Sequence, residues 1–212
     1  MSNSTDDKQR AVSIRGVLVV AMMLLMCGCR TAATKRPPAI ETRHPSGFTI
    51  TEGARVGARI RSDFAKANRA LGQGEVDRGI ELLTQIAESS PDLSAVHINL
   101  GIAYQRVEDF ERAEASLLEA LAVNPRHPVA HNELGIVYRR TGRFEEARKS
   151  YEAALALQPN FHFAMKNLAI LCDLFVSDLQ CALDHYEEYV AVVPDDETTE
   201  IWIADLHNRS GQ

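Results

Sequence analysis

Four prolines recur along this chain at a near-constant interval. Pro91, Pro125, Pro159 and Pro194 stand 34, 34 and 35 residues apart. Between them the same residue types return in phase. Residues 94–127 carry Leu100, Gly101, Tyr104, Ala113, Leu117 and Ala120, and residues 128–161 carry Leu134, Gly135, Tyr138, Ala147, Tyr151 and Ala154. Leu134 and Tyr138 are four apart and share one helical face, while Ala147, Tyr151 and Ala154 form one stripe of a second helix. Each unit therefore holds two helices. Proline ends the second, because its ring and missing N–H cannot continue the ladder. Gly142 suits the tight turn between the two, and the small residues Gly135 and Ala147 let them approach closely. A two-helix unit cannot bury its apolar face alone, so such units must stack.

Period and residue pattern together resemble the tetratricopeptide repeat. The resemblance implies an all-α solenoid of about four helix-turn-helix units, over 60–93, 94–127, 128–161 and 162–196. The outer units are more degenerate, as ends of a stack are. The first keeps Ala67, Gly79 and Leu83 but has Lys66 where the others have leucine. The fourth keeps Leu168, Ala169, Ala182 and Tyr186 in phase only with one extra residue in the turn near Val176–Gln180. The tail 197–212 is read as a capping helix centred on Thr198–Asn208, with Trp202 packing against the stack.

The resemblance also implies a concave groove lined by the first helices. Its candidate partner-binding residues are Phe64, Asn68, Ile98, Ile102, Arg106, Asn132, Ile136, Arg139, Arg140, Phe163, Lys166 and Ile170. They form an apolar strip bordered by cations, while most acidic residues of the repeats fall on second helices. Such a face suits a polypeptide segment with apolar anchors and acidic flanks. The alternative is that the three isoleucines 34 apart complete the packing between repeats and the arginines are solvated. Some tetratricopeptide domains clamp a terminal carboxylate, but Phe64, Val129 and Glu133 stand where that clamp needs cations.

The N-terminus carries a different signal. Val17–Met26 is an apolar run of ten residues, about 15 Å as a helix, which is half of a bilayer core. It fits the h-region of a secretory signal rather than a transmembrane span. Met26-Cys27-Gly28-Cys29 then resembles a bacterial lipobox, with Gly28 as the small residue before the cut and Cys29 as the lipidated residue. By that resemblance 1–28 is a signal peptide, and Arg30 after the cysteine implies the outer membrane. Residues 29–53 read as a flexible tether, with Pro37, Pro38 and Pro45 and no helical period; a short strand at Gly47–Thr51 has no support in the residue pattern.

Cys172 and Cys181 face each other across the fourth hairpin, either as a disulfide of an oxidising compartment or as two buried thiols. No second thiolate pair accompanies Cys27 and Cys29, so no metal is expected. His97 and His131 share one repeat position, which points to packing rather than ligation. No nucleophile is paired with a base and no glycine loop cradles phosphate. The sequence thus predicts no catalytic residue and no cofactor. The net charge of −6 argues against nucleic acid as a partner. The expected function is binding of another envelope protein. The architecture resembles small lipoproteins that assist assembly of type IV or Tad pili and of secretin rings. Recruitment of a cell-wall hydrolase or protease, or self-association, are the alternatives.

Overall fold

The computed structural model describes residues 41–43, 49–51 and 56–211. The apolar N-terminal run and Cys29 lie outside the described residues. So does most of the expected tether, but that segment contains a small antiparallel ladder. Strand β1 (Glu41–Arg43) pairs with β2 (Thr49–Thr51), placing Thr42 opposite Ile50.

Helices follow in pairs: α1 (Ala58–Gly72) with α2 (Val76–Ser89), α3 (Ser94–Arg106) with α4 (Phe110–Val123), α5 (Pro128–Arg140) with α6 (Phe144–Leu157), and α7 (His162–Leu171) with α8 (Leu179–Val192). A single helix, α9 (Glu197–Ser210), closes the stack. Among the described residues no helix is long and apolar enough to cross a membrane.

The proline period acts through the residue in front of it. Ser90, Asn124, Gln158 and Val193 cap the second helices, all with φ between −152° and −127° and ψ between 70° and 89°. A following proline ring clashes with helical backbone at the preceding residue and pushes it to an extended conformation. The chain therefore turns at the same place in every unit. Inside each hairpin a second device repeats. Gly74, Glu108, Gly142 and Ser177 all take positive φ, between 57° and 82°. Glycine occupies this left-handed position without penalty; Glu108 and Ser177 hold it because the surrounding backbone hydrogen bonds close there.

The extra residue of the fourth unit takes the form of a π-helical turn. α7 runs on into Cys172–Val176, where five residues widen the helix before Ser177 reverses the chain. The amide of Asp178 then donates to the carbonyl of Cys172 at 2.8 Å. A π-turn absorbs one inserted residue without breaking the helix, so the 35-residue spacing leaves Ala182 and Tyr186 in phase and buried.

Packing within hairpins uses the small residues. A methyl group on Gly101 would lie 2.6 Å from Leu117 Cγ, and one on Gly135 would lie 2.5 Å from Tyr151 Cε1. Leu117 and Tyr151 are themselves fully buried. Between hairpins, second helices pack on the first helix of the next unit, α2 on α3, α4 on α5, α6 on α7 and α8 on α9. First helices also meet one another, α1 with α3, α3 with α5 and α5 with α7. Second helices make no comparable mutual contact among the described residues. A stack pinched along one edge and open along the other must curve, with the first helices on its inner wall.

Candidate functional site: the inner wall of the stack

Each first helix presents one stripe to the inner wall. Ile102, Ile136 and Ile170 recur at one repeat position and are half-buried, resting on the core while leaving surface to solvent. Phe163 is 41% exposed, stacked edge-on to Phe161 and close to the His162 ring. Phe64 is half-buried against the first core cluster, and Asn68 is exposed. These residues supply an apolar inner surface broken by polar groups.

Two residues expected to line the groove do not. Ile98 is 4% exposed and Asn132 2% exposed. Both sit where one first helix leans on the next. Ile98 packs in a cluster with Val129 and Ala130 of α5, and Asn132 Oδ1 accepts a hydrogen bond from Asn167 Nδ2 of α7 at 3.0 Å. Curvature closes this position in the two middle units, while Phe64 and Lys166 hold it half-buried in the outer two; a repeat considered by itself does not show this.

The expected basic border is also committed elsewhere. Arg106 donates from Nη1 to the Leu71 carbonyl at 2.9 Å. Arg140 pairs with Glu108 at 2.7 Å and lies over the Phe110 ring. These two arginines end α3 and α5 and reach back to the turn of the preceding hairpin. Arg139 donates from Nε toward the Tyr151 hydroxyl at 3.4 Å and lies over the Phe175 ring. Lys166 pairs with Asp196 at 2.6 Å and sits over the rings of Tyr189 and Trp202. Each cation is thus held by an internal partner and acts as a tie within the stack.

Asp196 is the hub of the last tie. Besides Lys166 it accepts from the Tyr189 hydroxyl at 2.8 Å, and it caps α9 by accepting from the Thr199 amide at 3.2 Å. The ammonium of Lys166 and the Tyr189 hydroxyl hold its carboxyl well below the usual carboxylate range. Burial, reinforced by this carboxylate, pushes the Tyr189 phenol up to about 12. Trp202 rests on Tyr186 with ring centres 5.6 Å apart and keeps 36% of its surface exposed.

One carboxylate of the inner wall has no such cation among the described residues. Glu133 lies on α5, half-buried, and accepts from Gln105 Nε2 of α3 and from the Asn132 side-chain amide, both at 3.1 Å. Burial pushes its carboxyl above the usual range, and the two amide donors only partly offset this. The sequence marked Glu133 solely as a residue unfit for a carboxylate clamp.

Three histidines of the stack make structural hydrogen bonds. His97 and His131 each donate from Nε2 to a carbonyl six residues earlier, that of Pro91 at 2.8 Å and of Pro125 at 3.0 Å. They clasp the proline turns to the helices that follow. His127 caps α5, its Nδ1 accepting from the Ala130 amide. Cys172 and Cys181 are joined as a disulfide, with Cα atoms 5.9 Å apart. It ties the π-turn to the first turn of α8, beside Asp178 and Arg148.

A curved stack of paired helices with an apolar, interrupted inner wall defines a tetratricopeptide-repeat solenoid. Residues 98–160 match the tetratricopeptide repeat family. Solved structures share the architecture. A Desulfovibrio magneticus RS-1 MamA fragment is 19% identical with a TM-score of 0.64, the match covering 73% of this chain and 87% of that one. A thermophilic tetratricopeptide protein of Thermus thermophilus is 26% identical with a TM-score of 0.61, over 69% and 80%. Pseudomonas aeruginosa pilF is 20% identical with a TM-score of 0.66, over 71% and 68%. No curated protein matches the sequence.

Proposed function

We propose that this chain is a lipid-anchored scaffold of the bacterial outer membrane that holds another envelope protein on its inner wall. The observation that carries the binding role is the row of Ile102, Ile136 and Ile170, kept half-open on three consecutive first helices beside the exposed Phe163. Side chains used only for packing between first helices are closed, as Ile98 and Asn132 are. Apolar surface left open along a curved wall suits an extended or helical segment. Anchoring rests on the apolar run and on Cys29 after Gly28. Assistance to pilus or secretin assembly is the specific role that this architecture suggests, with binding rather than turnover as the activity. Ion pairs compensate Arg140 and Lys166, whereas Arg106 and Arg139 bond only neutral oxygens and keep their charge, so acidic flanks on the partner suit these two positions alone.

Photo-crosslinking in intact cells tests the reading. A crosslinking residue at Ile136 should capture a partner, while one at Lys149, on a second helix and exposed, should not. Equal capture at both would overturn the groove assignment. Palmitate labelling should disappear in Cys29→Ala; retained label would overturn the anchor.

A further inference from the structure

We propose that Glu133, with Gln105 and the Asn132 and Asn167 amides behind it, forms a subsite that receives a lysine or arginine side chain of the bound segment. The inference rests on the inner wall being the binding face. It starts from the direction of the hydrogen bonds. Asn167 Nδ2 donates to Asn132 Oδ1, the Asn132 amide donates to Glu133 Oε1, and Gln105 Nε2 donates to Glu133 Oε2. Donors from three first helices, α7, α5 and α3, run toward one carboxylate. Each of its oxygens accepts one amide hydrogen and keeps a lone pair. No lysine, arginine or histidine nitrogen of the described residues comes within 4.0 Å of it.

The other carboxylates on the first helices are neutralised in place. Asp63 pairs with Lys66 at 2.8 Å, and Asp173 pairs with Arg209 of α9 at 2.8 Å. The charge left over therefore sits near the middle of the wall, on α5, next to the half-buried Ile136. A carboxylate withdrawn from water without a counter-ion is costly, and that cost is relieved when a cation arrives. A lysine or arginine would find both oxygens fixed in advance by the amides, so little side-chain entropy is lost on the protein side. Apolar neighbours of the cation on the partner would meet Ile102, Ile136 and Ile170. A partner placing a carboxylate here would meet repulsion instead, which gives the wall a means of discrimination.

The test uses the full chain in detergent micelles and three pools of labelled nonapeptides with randomised flanks. The central residue is arginine, norleucine or aspartate. The arginine pool should bind about tenfold more tightly than the aspartate pool, the factor expected of a charge-assisted hydrogen bond in a half-buried site. Glu133→Gln keeps an amide-compatible acceptor, since Gln105 can turn its amide over. It should fold with an unchanged or raised Tm, retain norleucine-pool binding and lose the preference for arginine. An arginine preference that survives in Glu133→Gln, or a wild-type preference for aspartate, would overturn the subsite while leaving the groove in place. If no pool binds, or if Ile136→Glu leaves all binding unchanged, the inner wall is not the binding face and the subsite falls with it.

Discussion

Single residues in this protein carry loads that their repeat position does not announce. Asp196 caps α9, pairs with Lys166 and receives the Tyr189 hydroxyl at once. Those partners hold its carboxyl well below the usual carboxylate range. A depressed carboxyl contributes stability that is present above the unfolded pKa and lost as pH falls through the folded one. The chain should therefore lose stability on acidification below about pH 4. Asp196→Asn, which keeps the cap but not the charge, should be less stable at pH 7 by about 1 kcal/mol and should show a flatter acid limb. Thermal melts between about pH 3 and 7 check both. The pairing was not legible beforehand: Lys166 and Asp196 are 30 residues apart and meet only because α9 docks where a fifth unit would begin.

Within each hairpin, glycine and proline fix how two helices come together. Gly135 lies against Tyr151, which is fully buried and has no room to swing aside. Gly135→Ala gains about 1 kcal/mol of helix propensity but overpacks the seam by about 1–3 kcal/mol. The net expectation is a loss of about 1 kcal/mol, read from urea unfolding. Gly142→Ala should cost about the same for a different reason, the positive φ of 78° at an open site. Periodicity exposed these elements because each repeat reuses one local solution. Proline stops the helix, glycine lets it pack, and both effects are carried by a few neighbouring residues. The π-turn was legible only as an additional residue. The form it takes, with the Cys172 carbonyl accepting from Asp178, comes from the need to keep α8 in phase on α7.

Along the full stack, contacts run from each hairpin to its neighbours, so stability is local. The disulfide closes a separation of 9 residues in the last hairpin, and a loop of that length contributes about 2–3 kcal/mol. Replacing Cys172 and Cys181 by serine should raise hydrogen exchange in α7, α8 and α9 while leaving α1 to α4 nearly unchanged. Uniform acceleration along the chain would mean that the stack unfolds as one unit.

The repeating unit, its length, its two helices and the order of stacking could all be read from the residues alone. They follow from apolar periodicity, close-packing glycines and helix-ending prolines, all of which act over a few residues. What the inner wall offers emerged only in three dimensions. Stacking and curvature close Ile98 and Asn132 into the seams. They bring Arg106 and Arg140 back onto preceding turns, and among the described residues they leave Glu133 without a cation. These outcomes depend on contacts between residues about one repeat apart, whose geometry exists only once the hairpins have been set side by side.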